Sequence, residues 1–240
     1  MSFSLREHGV TSVLLDIEGT TTPMAFVYDV LFPYARARIN GFLRAHAWED
    51  QLRDTLATLR VEWLEDARQG EEPPDWAVAD IPAAARYLEW LMERDRKSPS
   101  LKRIQGEIWQ TGFQSGELRG DLFSDVAPAL ARWKTGGADI AIYSSGSVLA
   151  QRLIFGDLTS FISAFFDTAV GPKRSVDSYR RIARELGKKP EEILFVSDVP
   201  EELNAALDAG FQILLAVRPG NRPVEGPESL EEISSFDEIL

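Results

Sequence analysis

The stretch VLLDIEGTTTP, residues 13–23, decides the fold class of this 240-residue chain. Residues 10–15 (VTSVLL), whose last three begin this stretch, are typical of a strand buried on both faces of a parallel sheet. Two acids, Asp16 and Glu18, follow the apolar residues directly, before a glycine, three threonines and a proline. Ligands of open α/β proteins bind beyond the carboxyl ends of the strands, so the stretch predicts both a fold and a site.

Alternating strand and helix patterns continue from about residue 120 to the end of the sheet region. The predicted strands are ADIAIYSS (138–145), FFDTAV (165–170), EEILFVSD (191–198) and FQILLAV (211–217), with helical patterns between them. This alternation indicates an α/β fold with a doubly wound, Rossmann-like parallel sheet. The acidic segment 225–238 is predicted to be a solvated C-terminal surface.

Residues 24–118 differ from the rest because they show helical periodicity throughout and no convincing strand. Ser98 and Pro99 are typical of the cap and first residue of one such helix, and 71–74 is the clearest break. We therefore expect a core of residues 1–23 and 119–240, with an all-helical cap, 24–118, inserted after the first strand.

Composition excludes several classes of site. The chain has no cysteine, which rules out disulfides and thiolate metal sites, and its histidines are His8 and His46 alone. The net charge of −12 argues against a nucleic-acid partner. No segment is apolar enough to span a membrane, and the first residues do not resemble a secretory signal. We expect a cytoplasmic monomer with a small-molecule substrate.

Polar side chains stand at or beyond the ends of four predicted strands. They are Asp16 and Glu18, then Ser144 and Ser145, then Lys173, and last Ser197 and Asp198. Each alone is typical of a turn, a helix cap or a solvated surface. Together they suit phosphoryl chemistry: carboxylates bind Mg²⁺, a hydroxyl and a lysine hold phosphate oxygens, and a carboxylate can attack phosphorus.

In this order the motifs resemble the haloacid dehalogenase-like superfamily of aspartate-nucleophile phosphatases. DIEGT at 16–20 departs from the common DxDxT form by having Glu18 in place of the second aspartate. With that departure, DIEGTTTP, IYSSGS, QGEIW and VRPGN closely resemble the enolase-phosphatase family of methionine salvage. The resemblance runs from about residue 10 to residue 222.

The resemblance implies a nucleophile and a metal site. Asp16 would be the nucleophile, and one Mg²⁺ per subunit would be held by Asp16, the backbone carbonyl of Glu18, and Asp198. The Glu18 side chain would transfer protons, and Thr20 would orient the loop.

The resemblance also implies a phosphate site and a substrate. Ser144, Ser145 and Lys173 would bind the phosphate. The substrate would be a phosphorylated diketone, 2,3-diketo-5-methylthiopentyl-1-phosphate, which is enolised and then dephosphorylated.

Three other functions stay open at this point. One is another capped, Mg²⁺-dependent aspartyl-nucleophile phosphatase with a different small phosphate ester as substrate. A metal-free dehalogenase fits less well, because Asp198 at its strand end suits a cation. A phospho-acceptor signalling module shares the acids, hydroxyl and lysine, but it needs no insert of nearly a hundred residues.

Overall fold

A parallel sheet forms the centre of a computed structural model that describes residues 2–76, 80–94, 96–221 and 230–240. Within these residues the strands are β1 (Ser12–Leu15), β2 (Asp139–Tyr143), β3 (Ala164–Phe166), β4 (Ile193–Ser197), β5 (Gln212–Ala216) and β6 (Glu232–Ile233). Their order is β3-β2-β1-β4-β5-β6, and every neighbouring pair is parallel. The predicted doubly wound α/β fold is confirmed.

The position of β1 fixes the place of the site. All four of its residues are buried, and Leu15 lies opposite Ile142 on β2 and Val196 on β4. The chain first builds the sheet outward from β1 through β2 and β3, and then returns to add β4 to β6 on the other side. The strand order therefore reverses between β1 and β4, where α/β proteins bind their ligands. Asp16 and Asp198 are the residues that follow these two strands.

Among the described residues, four α-helices flank the sheet: α5 (Val126–Thr135), α6 (Val148–Phe155), α7 (Val176–Leu186) and α8 (Pro200–Asp208). Tyr179 on α7 and Leu203 on α8 are fully buried against Phe195 and Phe211. The Tyr179 and Phe211 rings pack edge to face, with centroids 5.7 Å apart and planes at 78°. Such aromatic packing adds to the burial of apolar area, which is the main stabilising term of this core.

The third strand is shorter than predicted, because only Ala164–Phe166 pairs with β2. The rest of the predicted segment 165–170 turns away, and Asp167 accepts a hydrogen bond from the amide of Ala169. Lys173 consequently lies in a loop between β3 and α7 rather than directly after a strand.

The prediction of a solvated C-terminal surface was wrong for Ile233 and Phe236, whereas Glu232 and Asp237 are exposed as predicted. Residues 225–229 lie outside the described residues. Glu232–Ile233 forms β6, and Ile233 and Phe236 are buried. Arg132 on α5 donates to the carbonyls of Phe236 (2.8 Å) and Ile239 (3.1 Å). A two-residue strand is too short to show the alternation of apolar and polar residues that identifies a strand. The acidic residues of the segment therefore led to the prediction of a solvated surface.

The remaining helices form a second unit. They are α1 (Phe32–Ala45), α2 (Asp50–Arg68), α3 (Ile81–Glu93) and α4 (Pro99–Ser115), preceded by a π-helical turn at Phe26–Leu31. As predicted, Ser98 caps α4 and accepts from the amide of Leu101 at 3.0 Å. By its internal contacts the chain divides into residues 1–27 with 119–240, and residues 28–118. No helix among the described residues is long and apolar enough to cross a membrane.

Candidate active site

The loop after β1 holds Asp16 rigidly. Its amide continues the sheet by donating to the carbonyl of Val196 at 3.0 Å, and its Oδ1 accepts from the amide of Ile17 at 2.8 Å. The side chain is almost fully buried, with 2% of the residue exposed. Thr21 Oγ1 lies 3.2 Å from the carbonyl oxygen of Asp16 and 3.3 Å from that of Ile17.

The hydroxyl of Thr21 therefore helps to hold the loop, a role that the resemblance gave to Thr20. Thr20 Oγ1 is buried and has no hydrogen-bond partner among the described residues. Its carbonyl takes part instead, because Arg218 Nε donates to it at 3.0 Å. Because three threonines follow one another, the sequence alone could not show which hydroxyl holds the loop.

Lys173 faces Asp16 directly. Its Nζ lies 2.5 Å from Asp16 Oδ1 and 2.6 Å from Glu202 Oε2, and all three side chains are largely buried. The sequence predicted that Lys173 belongs to the site, and the structure brings it into contact with the first predicted acid. The ammonium group also lies 5.8 Å from the centre of the Tyr143 ring.

Hydroxyl groups fix the backbone on which Lys173 stands. Tyr143 donates to the carbonyl of residue 171 (2.9 Å), Ser178 to that of residue 172 (2.8 Å), and Tyr179 to that of Lys173 (2.7 Å). Residue 171 is a glycine at φ +137°, where a Cβ would collide with the Ser178 hydroxyl. Three successive carbonyls are thus held by core side chains, so a loop residue acquires the rigidity of the sheet.

Glu202 and Ser197 complete this cluster. The sequence placed Ser197 at its strand end without giving it a role, and Glu202 was not predicted. Ser197, the last residue of β4, has its Oγ 3.2 Å from both Asp16 Oδ2 and Glu202 Oε2. Glu202 lies in the first turn of α8, four residues after Asp198. Acids are common in the first turn of any helix, since they complement its dipole, so the sequence gave Glu202 no separate signal.

Glu18 and Ser144 meet on the other side of Asp16's loop. Ser144 Oγ lies 3.2 Å from Glu18 Oε2, and it accepts from the amide of Gly146 at 3.0 Å. The structure thus brings Ser144 together with the predicted acids. Ser145 is partly exposed and makes no hydrogen bond to the other candidate side chains within the described part of the chain.

Asp198 lies against the same loop. A Cβ added to Gly19 would collide with the carboxylate of Asp198 and lie 3.1 Å from Asn221 Oδ1. Gly19 has φ +72°, so glycine is required here for its conformation as well as for space. The Asp198 carboxylate therefore packs on the backbone one residue beyond Glu18.

Comparison with known proteins places this arrangement in a family. Residues 10–210 match the model of haloacid dehalogenase-like hydrolases. The enolase-phosphatase E1 of Synechococcus elongatus is 51% identical over 235 residues, covering 96% of this chain and 98% of that protein. The enolase-phosphatase E1 of Drosophila mojavensis is 48% identical, covering 93% of this chain and 90% of that protein. The crystal structure of the UTR4 protein of Saccharomyces cerevisiae superposes with a TM-score of 0.79 at 31% identity. The match covers 95% of this chain and 99% of that chain.

The chain belongs to the enolase-phosphatase family of haloacid dehalogenase-like hydrolases. It is accordingly a phosphatase, and its strand-end acids and lysine are the groups available for that chemistry.

The charges of this enolase-phosphatase site are strongly coupled. Burial and the charge of Asp16 raise the pKa of Asp198 to about 7 and that of Glu202 to about 7. The same two causes raise the pKa of Glu18, although Lys173 and the Ser144 hydroxyl oppose them. Burial alone would lower the pKa of Lys173, but the carboxylates of Asp16, Glu202 and Glu18 more than offset it and raise that pKa. Lys173 is therefore an ammonium ion throughout the physiological range.

The donor set fits a hard divalent cation. Four carboxyl groups (Asp16, Glu18, Asp198 and Glu202) interact with one ammonium group among the described residues, so negative charge is in excess. The backbone carbonyl of Glu18 accepts no hydrogen bond from any described residue. No group of three His, Cys, Asp or Glu side chains in that part of the chain could hold a metal alone. A site of two carboxylates, one carbonyl and waters is what Mg²⁺ accepts.

Proposed function

We propose that the chain catalyses both reactions that the family name combines, on one substrate. The substrate is 2,3-diketo-5-methylthiopentyl-1-phosphate, which is enolised and then dephosphorylated to 1,2-dihydroxy-3-keto-5-methylthiopentene in methionine salvage. The observation that carries the proposal is the contact of Lys173 Nζ with Asp16 Oδ1, at 2.5 Å, beside Glu18 at the switch point of the sheet. Identity of about half to curated enolase-phosphatases supports the choice of substrate.

The phosphatase half begins with attack of an Asp16 carboxylate oxygen on phosphorus. The bond from phosphorus to the substrate oxygen breaks as the bond to Asp16 forms, and Glu18 donates its proton to the leaving oxygen. Water then attacks the phosphorus of the aspartyl-phosphate, Glu18 takes the proton of that water, and Asp16 leaves as a carboxylate. The raised pKa of Glu18 suits a group that donates a proton when the aspartyl-phosphate forms and accepts one when it is hydrolysed.

Asp16 can attack because its position is fixed before the substrate arrives. Asp16 Oδ1 contacts the amide of Ile17 and the ammonium of Lys173, and Oδ2 contacts the hydroxyl of Ser197. A nucleophile held by three partners loses little further freedom on reaching the transition state. Lys173 also supplies positive charge where the equatorial phosphoryl oxygens gain negative charge.

Ser144 and Ser145 form the other part of the proposed phosphate site. The hydroxyl of Ser144 already contacts Glu18, and the amide of Gly146 donates to that hydroxyl. Successive backbone amides at the start of α6 favour an anion there.

Asp16, the carbonyl of Glu18, and Asp198 would hold one Mg²⁺. When bound, Mg²⁺ supplies positive charge to the phosphoryl oxygens and to a substrate carbonyl. Asp198 packs against Gly19, and this contact sets the spacing between that carboxylate and the Glu18 carbonyl.

The enolase half needs a base beside an acidic C–H group. We assign the base to the Glu18 carboxylate, which removes a proton from the carbon next to the substrate carbonyl and returns it to oxygen as the enol forms. We also assign to the helical residues 24–118 the role of a cap that selects the substrate and excludes water.

The test is to incubate the protein with the diketo phosphate and Mg²⁺ while following enol absorbance and free phosphate together. We expect both signals, and we expect Asp16→Asn to abolish phosphate release. Asp167→Asn is the matched control, because Asp167 also follows a strand directly but its Oδ1 accepts from Ala169 in a local turn. Its turnover should stay within about threefold of the wild type, as for a surface change away from the site.

The main alternative is a phosphatase of the same family fold that acts on another small phosphate ester. It predicts phosphate release from sugar phosphates at least as fast as from the diketo phosphate, with no enol signal. That outcome would overturn the proposed substrate while leaving the role of Asp16 intact.

A further inference from the structure

We propose that Arg218 and Asn221, in the turn after β5, are positioning residues for the loop that carries Asp16 and Glu18. They hold the two backbone carbonyls that follow Glu18, and so fix the loop against Asp198. The turnover test of this inference rests on the proposed function, whereas its Mg²⁺-binding test rests on the proposed metal site alone and not on the proposed substrate.

Arg218 is a buried guanidinium in the turn after β5, which is separated from β1 by β4 in the sheet. Its Nε donates to the carbonyl of Thr20 at 3.0 Å, and its side chain is 3% exposed. Nη1 donates to Asp125 Oδ2 at 2.7 Å and to the carbonyl of Ser234 at 2.8 Å. The planar fork lets one residue join the loop, the start of α5 and the C-terminal segment.

Two aromatic rings and a carboxylate hold the Arg218 guanidinium in position. Its guanidinium carbon lies 4.8 Å from the Phe123 ring centre and 4.4 Å from that of Phe236. Burial alone would raise the pKa of Asp125, but hydrogen bonds from the Phe236 amide and Arg218 lower it. Arg218 therefore always faces a charged partner at neutral pH.

One atom of Arg218 is left over, which argues against a role in stability alone. Nη2 is buried and has no hydrogen-bond partner among the described residues. A buried unpaired donor costs free energy, and an apolar side chain of the same shape would avoid that cost. An apolar side chain could not replace the hydrogen bonds that Arg218 makes to Asp125 and to the carbonyls of Ser234 and Thr20, and the bond to Thr20 is the one that reaches the loop.

Asn221 holds the neighbouring carbonyl. Its Nδ2 donates to the carbonyl of Gly19 at 2.8 Å, which turns its Oδ1 toward Gly19 Cα and Asp198. That oxygen is also buried without a partner in the described part of the chain. Adjacent carbonyls, Gly19 and Thr20, are thus each held by a side chain from the same turn.

The position of these carbonyls matters for the chemistry. The proposed metal-binding carbonyl of Glu18 directly precedes that of Gly19, and Asp198 packs on Gly19 itself. A shift of about 1 Å at a reacting centre costs on the order of 100-fold in rate. If the turn is released, the loop moves against Asp198, although no residue that touches substrate has been changed.

The test compares Arg218→Met with Arg132→Met. Arg132 also ties down the C-terminal segment, through the carbonyls of Phe236 and Ile239, but makes no hydrogen bond to the loop. Both variants should melt at a lower temperature than the wild type. Arg218→Met should lose about 10- to 100-fold in kcat with little change in KM, because positioning is lost rather than binding.

Two further variants keep the inference testable if Arg218→Met does not fold. Arg218→Lys retains the charge but not the fork, and should recover part of the lost kcat. Asn221→Ala should weaken Mg²⁺ binding by about 10- to 100-fold, the range of losses seen for residues that support metal ligands. Mg²⁺ affinity is measured by calorimetry without substrate, with Asn204→Ala, an exposed position on α8, as the control.

The inference is overturned if Arg218→Met keeps kcat within about twofold of Arg132→Met, which is the scatter expected of unrelated changes. It is also overturned if Asn221→Ala and Asn204→Ala bind Mg²⁺ alike. If wild-type protein releases no phosphate from the diketo substrate, the proposed function fails instead. The comparison of Mg²⁺ affinities then still decides the positioning role.

Discussion

Replacing Lys173 by methionine should be among the most damaging single changes in this protein, for stability as well as activity. Its Nζ lies 2.5 Å from Asp16 Oδ1 and 2.6 Å from Glu202 Oε2, and the Lys173 side chain is 8% exposed. At an effective dielectric constant of about 20, each contact carries roughly 6 kcal/mol of Coulomb attraction, most of it offset by desolvation. Removing one partner of a buried pair costs about 3–5 kcal/mol, because the other charges stay buried without a partner.

A double variant separates this cause from simple loss of packing. Glu202→Gln removes one of the two carboxylates that Lys173→Met leaves uncompensated. The double variant should therefore regain at least about 1 kcal/mol of the loss, a coupling within the range measured for contacting residues. Lys188→Met is the control: its Nζ is 3.0 Å from Asp139 Oδ2 in a partly exposed pair, and such pairs near the surface contribute about 0–1 kcal/mol.

The assay is urea denaturation at pH 8 without Mg²⁺. The pKa of Lys173 is raised in the folded state, so its contribution is fully present below its unfolded pKa of about 10.4 and is lost only as pH rises through the folded value. The measurement at pH 8 thus sees all of it. A loss of less than about 1 kcal/mol for Lys173→Met, or additive effects in the double variant, would refute the buried cluster of Asp16, Lys173 and Glu202.

Three further changes test other parts of the site. Glu18→Gln should lower both enol formation and phosphate release, by about 10²- to 10⁴-fold if Glu18 moves protons in each half; normal enolisation in this variant would remove Glu18 from the first reaction. A chelator should stop turnover, and added Mg²⁺ should restore it; turnover that survives chelation would exclude the proposed metal site. Tyr179→Phe removes the hydroxyl that holds the Lys173 carbonyl at 2.7 Å, and should cost about 1–3 kcal/mol in urea denaturation, because that carbonyl is left unpaired; an unchanged midpoint would show that the Lys173 loop needs no such support.

The sequence sufficed for the parts of the site that stand at strand ends. Asp16, Ser144 and Asp198 each follow a strand whose apolar run is clear, and parallel pairing brings those ends to one edge. Lys173 was predicted by its place in the order of motifs. Its actual position depends on Tyr143 and Tyr179, core residues whose hydroxyl contacts no local pattern could show.

What sequence reasoning missed depends on contacts between distant segments. Glu202 reads as an ordinary first-turn acid, and it becomes part of the site because α8 starts at the same edge as Lys173. Arg218 lies in VRPGN, which carried part of the resemblance, but no role was predicted for it, and the structure buries it against Asp125. The short strand at Glu232–Ile233 owes its existence to pairing with β5 rather than to its own composition.

The most direct test of the account is to trap the covalent intermediate on Asp16. The protein is mixed with the diketo phosphate and Mg²⁺, quenched in acid within one turnover, digested and analysed by mass spectrometry. We expect one phosphoryl group on the peptide that contains Asp16, no such adduct in Asp16→Asn, and an unchanged adduct in Asp167→Asn. Phosphate release at the normal rate with no adduct on that peptide, or an adduct that persists in Asp16→Asn, would contradict nucleophilic attack by Asp16.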